Sequence, residues 1–263
     1  MPVRLLFLDR DGTLNRTLGR RPPNAPDEVE LLPGVEAVLS RYVSDGWRLV
    51  IVTNQGGVGA GYLTEAQAHA VQQRVIDLLP VPVSASYLCP HMPGGAVPEY
   101  AIDCPNRKPR PGFVLNALCA FEARPGDCLL VGDAITDKQV AEAAGVPFRW
   151  ADRFFGRPID RGLHALDGSW VQVRQVGELD PLGGPAGADR DMCLVAEKDG
   201  EIIGRLCLLR AQGAANWTLD VGDAHRGTGI EALLAQTALE WIGDRQELRR
   251  SVADLLTGLS SEG

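Results

Sequence analysis

The sequence predicts an α/β protein in two parts: a mostly parallel sheet with helices on both faces, followed by a smaller α+β module. In the first part, short runs rich in β-branched residues alternate with stretches of helical periodicity, which is typical of βαβ units. Beyond Arg157 this alternation stops, and strand-like runs follow one another around hairpin signals. A length of 263 residues also agrees with about two domains. We therefore predict a first domain over 1–157, a linker over 158–170 and a second module over 171–263.

Five strands and four helices are predicted in the first domain. The strands cover residues 3–8, 47–52, 83–88, 128–131 and 146–150. Apolar residues recur at i, i+3, i+4, i+7 and i+8 over 35–43, which predicts an amphipathic helix between the first two strands. A second helix begins at Thr64, where Gln67 completes a capping box. A third helix follows Pro111, and a fourth covers residues 137–144.

The second module is predicted to be an antiparallel sheet with a helix. Its strands cover residues 171–176, 193–197, 202–210 and 217–221. The sequence Asp199-Gly200 predicts a hairpin turn between the second and third of these. One helix is indicated over 232–241, and a further amphipathic helix is indicated by Leu248, Val252, Leu255, Leu256 and Leu259.

Charge and composition exclude several classes of function. The 26 Lys and Arg residues and 34 Asp and Glu residues give a formal net charge of −8, the wrong sign for a general binder of nucleic acids or anionic membranes. No run approaches the roughly 18 apolar residues of a membrane helix, and the chain begins with a strand rather than a signal peptide. The six cysteines are too sparse for a disulfide scaffold, so free thiols are expected. We expect a cytoplasmic protein that acts on a small molecule.

Two aspartates follow the first strand. Asp9 and Asp11 lie where the strand gives way to a loop, at the edge where open α/β sheets bind ligands. Strand alternation places them on one side and Arg10 on the other. Asp133 follows the fourth predicted strand and would reach the same edge, and these oxygens suit Mg²⁺. Asp137, one helical turn further, would orient the site. Without this context, the two aspartates would be explained equally well as turn formers before a glycine.

The four segments that carry these residues resemble the motifs of the haloacid dehalogenase (HAD) superfamily of phosphatases. Residues 7–15 resemble the first motif. The others follow in order as Thr53-Asn54-Gln55, Arg107-Lys108-Pro109, and Gly132-Asp133 with Asp137. The resemblance implies the Rossmann-like sheet of this superfamily and Mg²⁺-dependent hydrolysis of a phosphoric monoester, here a small-molecule sugar phosphate.

The resemblance also implies a role for each motif residue. Asp9 would attack phosphorus and form an aspartyl-phosphate, while Asp11 would protonate the leaving oxygen and later activate water. Mg²⁺ would be held by Asp9, Asp133 and the main-chain carbonyl of Asp11. The phosphoryl oxygens would be bound by Thr53, Asn54, Arg107 and Lys108. The rival hypothesis of an interaction protein without catalysis requires this whole set to be idle.

A second group of residues narrows the resemblance. Cys89 and His91, followed by Cys104 and Asn106, precede the third motif. This pattern is similar to D-glycero-D-manno-heptose-1,7-bisphosphate 7-phosphatases and related histidinol phosphatases, in which Cys, His, Cys and Cys hold a structural zinc. Here Asn106 replaces the fourth ligand, so a weakened Zn²⁺ site and a metal-free loop both remain open. The heptose bisphosphate is the favoured substrate, although Ala60 stands where these sequences often carry an arginine. The alternative is histidinol phosphate or another small phosphate ester.

Near the C-terminus, a glycine-containing loop precedes a helix. The loop Arg226-Gly227-Thr228-Gly229 resembles the acyl-CoA loop of GNAT acetyltransferases, whose backbone amides bind pyrophosphate at a helix N-terminus. Glu231 would bring a carboxylate toward those phosphates, and the strands that complete the GNAT fold are not indicated after it. We therefore expect a truncated GNAT-like module that does not bind acetyl-CoA and serves packing, self-association or support of the substrate loop. A bifunctional phosphatase and acetyltransferase is the alternative.

Overall fold

The chain divides into two compact units, Met1–Arg157 and Pro158–Gly263, each with its own sheet. A computed structural model describes residues 2–18, 21–176, 189–211 and 214–242, together with 248 and 250–252. Among the described helices, none has the length and apolar character that a membrane crossing requires.

The first unit contains a five-stranded parallel sheet, as predicted. Its strands are β1 (Arg4–Leu8), β2 (Trp47–Asn54), β3 (Val83–Cys89), β4 (Leu129–Gly132) and β5 (Phe148–Trp150). Their order is β3-β2-β1-β4-β5, so β1 lies at the centre with β2 and β4 on either side. Leu8 is in register with both Ile51 and Val131. The carboxyl ends of β1 and β4 therefore meet at the same edge of the sheet.

Helices cover both faces of this sheet, which confirms the predicted fold class. They are α1 (Val35–Ser44), α2 (Glu65–Leu78), α3 (Gly112–Ala120), α4 (Ile135–Ala144) and α5 (Ala151–Phe155). Successive side chains of β1 point to opposite faces. Leu6 and Leu8 belong to the apolar cluster that includes buried residues of α1, α2 and α5. Leu5 and Phe7 belong to the cluster that includes buried residues of α3 and α4. Both clusters fix the position of β1 and therefore of the residues that follow it.

The second unit is an antiparallel sheet with a helix on it. It comprises β6 (Asp160–His164), β7 (Trp170–Gln175), β8 (Asp189–Lys198), β9 (Glu201–Ala211), β10 (Ala214–Val221) and α6 (Ile230–Ile242). The strands lie in the order β10-β9-β8-β7-β6, and α6 contacts β7 to β10. Asp199 and Gly200, with φ of +50° and +87°, form the turn between β8 and β9. This confirms the predicted hairpin.

Several features of the structure differ from the sequence predictions. Strand β6 lies within 158–170, where a linker is predicted; its charged and polar residues hide the strand pattern, but it pairs with β7 and buries Arg161. The five-residue helix α5 is too short to give a periodicity. The helix predicted beyond residue 242 falls largely outside the described residues. Among the few residues described there, Leu248 and Val252 are buried.

The expectation of free thiols needs one correction. Cys193 and Cys207 lie directly opposite each other on β8 and β9 and form a disulfide. Their pairing depends on the register of the two strands, which composition does not reveal. The free cysteines among the described residues are Cys89, Cys104, Cys119 and Cys128.

Candidate active site

Three carboxylates meet at the carboxyl edge of the first sheet. Asp9 follows β1, and its amide donates to the Val131 carbonyl of β4 at 3.0 Å. Asp133 follows β4, and Asp137 lies in the first turn of α4. One oxygen from each carboxylate lies within 4.8 Å of the others. Gly12 has a φ of +81°, and a Cβ there would collide with the Asp133 carboxylate, so this close approach requires glycine.

Lys108 supplies the ammonium group of this cluster. Its Nζ lies 2.6 Å from Asp9 Oδ1 and 2.5 Å from Asp137 Oδ1, and it also donates to the Val52 carbonyl at 3.2 Å. The backbone of Lys108 is held by Asn54. Asn54 Nδ2 donates to the Lys108 carbonyl and Asn54 Oδ1 accepts from the Lys108 amide, both at 3.0 Å. The second motif therefore positions the lysine of the third.

The cluster contains three carboxyl groups and one ammonium group. Burial raises the pKa of Asp9 to about 7; the Lys108 ammonium opposes this rise, and the Asp137 carboxylate adds to it. Burial, together with the Asp9 and Asp137 carboxylates, also raises the pKa of Asp133 well above its ordinary value. Burial alone would lower the pKa of Lys108, but Asp137 and Asp9 outweigh it and raise that pKa. When the three carboxyl groups are ionised, one ammonium leaves them a surplus of negative charge, so the cluster has the donor set of a divalent cation site.

Asp11 lies beside this cluster and has different partners. Its carboxylate accepts hydrogen bonds from Asn15 Nδ2 at 3.0 Å and from Gln55 Nε2 at 2.6 Å. Arg10 donates to it through Nε and Nη2, at 3.1 Å and 2.9 Å. The prediction that Arg10 points away is wrong, because β1 ends at Leu8 and strand alternation does not extend into the loop.

The predicted phosphate-binding residues have separate environments. Thr53 is buried, and its Oγ1 accepts a hydrogen bond from Gln55 Nε2 at 2.9 Å. The Asn54 side chain binds the Lys108 backbone. Arg107 Nη1 donates to the His91 carbonyl at 2.8 Å, and a Cβ on Gly56 would lie 3.0 Å from this nitrogen. The sequence predictions assign no role to Gln55, although it is part of the second motif.

Cys89, His91 and Cys104 form a second cluster, with ligand atoms within 4.8 Å of one another. The Cys89 Sγ lies 3.6 Å from His91 Nδ1, and the backbone N–H of Asn106 donates to the Cys104 Sγ at 3.4 Å. Burial, together with the neighbouring Cys104, raises the pKa of Cys89 to about 11. Asp103, a potential fourth ligand, pairs with Arg110 instead.

The glycine-containing loop of the second unit makes local contacts. Arg226 Nε donates to the Val221 carbonyl at 3.3 Å, and its Nη2 lies 3.4 Å from Asp223 Oδ1. Gly227 and Gly229 have φ of +74° and +90°. The φ of Gly229 favours glycine, and a Cβ there would also displace the exposed side chain of Leu166.

Comparisons with known proteins find a matching family model in each unit. A HAD-hydrolase-like family model matches residues 105–150, and an acetyltransferase (GNAT) family model matches residues 163–258. The D-glycero-β-D-manno-heptose-1,7-bisphosphate 7-phosphatase of Escherichia coli K12 is 36% identical over 165 residues, which cover 60% of this chain and 82% of the relative. The enzyme of the same name from Rhodopseudomonas palustris is 31% identical over 160 residues, or 59% of this chain and 84% of the relative.

A solved structure agrees with this assignment. A protein from Mesorhizobium loti, described as a HAD-like phosphatase, superposes with a TM-score of 0.52 and 35% identity over 55% of this chain and 70% of its own. The chain therefore belongs to the HAD superfamily, in the family of these heptose-bisphosphate phosphatases, and is a hydrolase of phosphoric monoesters with an acetyltransferase-like second unit.

Proposed function

We propose that this chain removes the 7-phosphate of D-glycero-D-manno-heptose 1,7-bisphosphate through an aspartyl-phosphate on Asp9, with Mg²⁺ as cofactor. The observation that carries the proposal is the cluster of Asp9, Asp133 and Asp137, in which the buried Lys108 ammonium pairs with Asp9 and Asp137. The names of the relatives support the substrate. The zinc-ligand pattern at Cys89, His91 and Cys104 is shared by heptose-bisphosphate and histidinol phosphatases, so it supports this group of enzymes without choosing between the two substrates.

The proposed reaction has two steps. In the first, an Asp9 carboxylate oxygen bonds to phosphorus as the bond from phosphorus to the sugar oxygen breaks, and the Asp11 carboxyl gives its proton to that oxygen. In the second, Asp11 takes a proton from water as the water oxygen bonds to phosphorus. The bond from phosphorus to Asp9 breaks, which releases inorganic phosphate and restores Asp9. Division of the reaction suits a phosphoric monoester, whose uncatalysed hydrolysis is extremely slow.

Three side chains are proposed to bind the transferred group. The Lys108 Nζ already contacts Asp9 at 2.6 Å and would donate to a phosphoryl oxygen beside it. The Thr53 hydroxyl accepts from Gln55 Nε2, which leaves its own proton to donate. Arg107 would bind an anionic group of the substrate from the loop that carries His91. Asn54 would act indirectly, through the Lys108 backbone.

The residues present fit Mg²⁺. Asp9 and Asp133 would hold the ion with the main-chain carbonyl of Asp11, while Asp137 remains paired with Lys108. When bound, Mg²⁺ supplies positive charge that offsets the charges of the nucleophile and the phosphoryl group.

Mg²⁺ is expected to stabilise the metal-free protein above pH 7. A cation among buried carboxylates binds the folded state alone, so Mg²⁺ at a hundredfold excess over its Kd should add about 2.7 kcal/mol to the free energy of unfolding. Urea denaturation in EDTA and in Mg²⁺ measures this. Asp133→Asn should lose most of the gain, whereas the exposed-site variant Asp45→Asn should keep it. Equal stabilisation of wild type and Asp133→Asn would argue against this site.

Zinc is proposed to bind at Cys89, His91 and Cys104, with a fourth ligand from solvent. Three ligand atoms already lie together, but a structural zinc site is usually closed by four protein ligands, so affinity should be reduced. Asn106→Cys would supply the missing thiol and is expected to tighten binding at least about tenfold. Metal analysis and chelator competition measure both effects. Cys104→Ser should abolish binding, and the exposed Cys119→Ser should not. A chain that carries no zinc even with the Asn106→Cys substitution would refute the site.

We assign no acyl transfer to the second unit. Arg226, the cation of the glycine-containing loop, has the Asp223 carboxylate beside it, and both side chains are largely exposed. Glu231 adds a carboxylate to the first turn of α6, where a CoA pyrophosphate would otherwise be favoured. A role in packing or self-association remains the proposal for this unit.

The substrate proposal is tested by following heptose 1,7-bisphosphate with ³¹P NMR in Mg²⁺ buffer, with histidinol phosphate and heptose 7-phosphate in parallel. We expect loss of the 7-phosphate signal while the 1-phosphate signal remains. Turnover of histidinol phosphate alone would move the chain to the other branch. Loss of the 1-phosphate first would contradict the proposed regiochemistry.

A further inference from the structure

Arg10 is a fully buried cation that links Asp11 to helix α2. It has no exposed surface. Its Nε and Nη2 donate to the Asp11 carboxylate at 3.1 Å and 2.9 Å, so the guanidinium holds both carboxylate oxygens in a fixed plane. Its Nη1 points the other way and donates to Gln72 Oε1 at 3.2 Å. The orientation of the guanidinium therefore depends on contacts at both ends.

Gln72 is an unusual residue for its position. It is 3% exposed on the buried side of α2, where the other buried residues are Ala68, Val71 and Val75. Its Oε1 accepts from Arg10, whereas its Nε2 is a buried donor with no hydrogen-bond partner among the described residues. A leucine or methionine would fill this position without an unpaired donor. The contact with Arg10 is what distinguishes glutamine from an apolar residue here.

We propose that Gln72 is a positioning residue, which orients Arg10 so that Asp11 is held in place to protonate the leaving oxygen. This inference rests on the proposed phosphatase mechanism. In the first step the proton moves from the Asp11 carboxyl to the sugar oxygen as its bond to phosphorus breaks, and Asp11 is left as a carboxylate. The two Arg10 donors stabilise that product, and Gln72 keeps them directed at it.

The inference makes a prediction that depends on the leaving group. A sugar alkoxide is a strong base and needs the Asp11 proton as it departs, whereas p-nitrophenolate is stable as an anion and leaves without one. For both substrates, kcat/KM covers the steps through departure of the leaving group. Loss of positioning should therefore lower kcat/KM for the sugar phosphate selectively. A loss of folded enzyme would lower it equally for both.

The experiment compares Gln72→Leu with wild type on heptose 1,7-bisphosphate and on p-nitrophenyl phosphate. We expect kcat/KM to fall about tenfold for the heptose and less than about twofold for p-nitrophenyl phosphate. Gln72→Glu keeps an acceptor for Arg10 and should retain most of the heptose activity. Gln73 is the exposed neighbour on the same helix, and Gln73→Leu should leave kcat/KM unchanged for both substrates.

Equal losses for both substrates, or no loss for either, would overturn the proposal. If Gln72→Leu does not fold, Gln72→Met removes the same acceptor with an unbranched side chain, and the same ratio decides the question. If the wild-type protein is inactive on both substrates and does not differ from the Asp9→Asn control, the proposed function itself is refuted. The two failures are thus distinguishable.

Discussion

Replacement of Asp9 by asparagine is expected to abolish phosphate release without loss of the fold. The amide is not a nucleophile toward phosphorus, so kcat should fall by on the order of 10⁴-fold or more. The fold should remain because Asp9 is held in an unfavourable state: burial raises its pKa from 3.8 to about 7. Above that pH the folded wild-type protein carries a buried charge that the neutral amide of the variant lacks. A phosphate-release assay measures the first effect.

Stability against pH gives a second measurement on the same variant. A carboxyl with a raised pKa in the folded state favours folding at low pH, and this contribution disappears as pH rises from about 4 through about 7. In EDTA, wild type should therefore lose more stability over this interval than Asp9→Asn. The exposed Asp77→Asn serves as a matched control and should behave as wild type in both measurements. Retention of substantial activity by Asp9→Asn would rule out Asp9 as the nucleophile.

Replacement of Lys108 by methionine is expected to damage both stability and activity. The ammonium lies between Asp9 and Asp137 with 5% of its side chain exposed, so its removal leaves buried carboxylates without their counter-charge. Breaking such a pair from one side costs about 3–5 kcal/mol. We expect a loss near the lower end of that range above pH 7, and a smaller loss at pH 5, where Asp9 binds a proton. The value of kcat should fall about 10²–10³-fold, because Lys108 is proposed to donate to the phosphoryl oxygens.

Urea denaturation at the two pH values, together with phosphate release, measures these effects. Lys138→Met, on the same helix as Asp137, is the matched control and should be close to wild type. A Lys108→Met protein as stable above pH 7 as wild type would show that Lys108 does not balance the carboxylate cluster.

The sheet and its acidic edge are predictable from the sequence because they depend on short-range patterns. The apolar run before Asp9 and the similar run before Asp133 identify two buried strands. Their carboxyl ends meet because β1 and β4 are parallel neighbours. The Thr64 and Gln67 capping box is equally predictable, and the structure contains both of its hydrogen bonds.

Contacts beyond the strand ends are not predictable in the same way. Alternation places Arg10 away from Asp11, but it applies only while the backbone is extended, and β1 ends at Leu8. Asn54 is predicted to bind phosphoryl oxygens, and the pattern gives no sign that its side-chain amide also binds the backbone of Lys108, a partner 54 positions away. Such contacts depend on tertiary structure and leave no local pattern.

In the second unit, too, local sequence patterns do not reveal every strand or contact. Strand β6 contains charged residues, and only its pairing with β7 and the burial of Arg161 explain it. Cys193 and Cys207 face each other because of the register between β8 and β9, which neither cysteine's own neighbourhood specifies.

The most direct test of the central claim is phosphate release by the full chain from a panel of phosphoric monoesters in Mg²⁺, with Asp9→Asn in the same assay. The panel contains both anomers of heptose 1,7-bisphosphate, heptose 7-phosphate, histidinol phosphate and simple sugar phosphates. We predict turnover of a heptose bisphosphate by wild type and none by Asp9→Asn. An inert panel, or equal release by the two proteins, would contradict a phosphatase that uses Asp9.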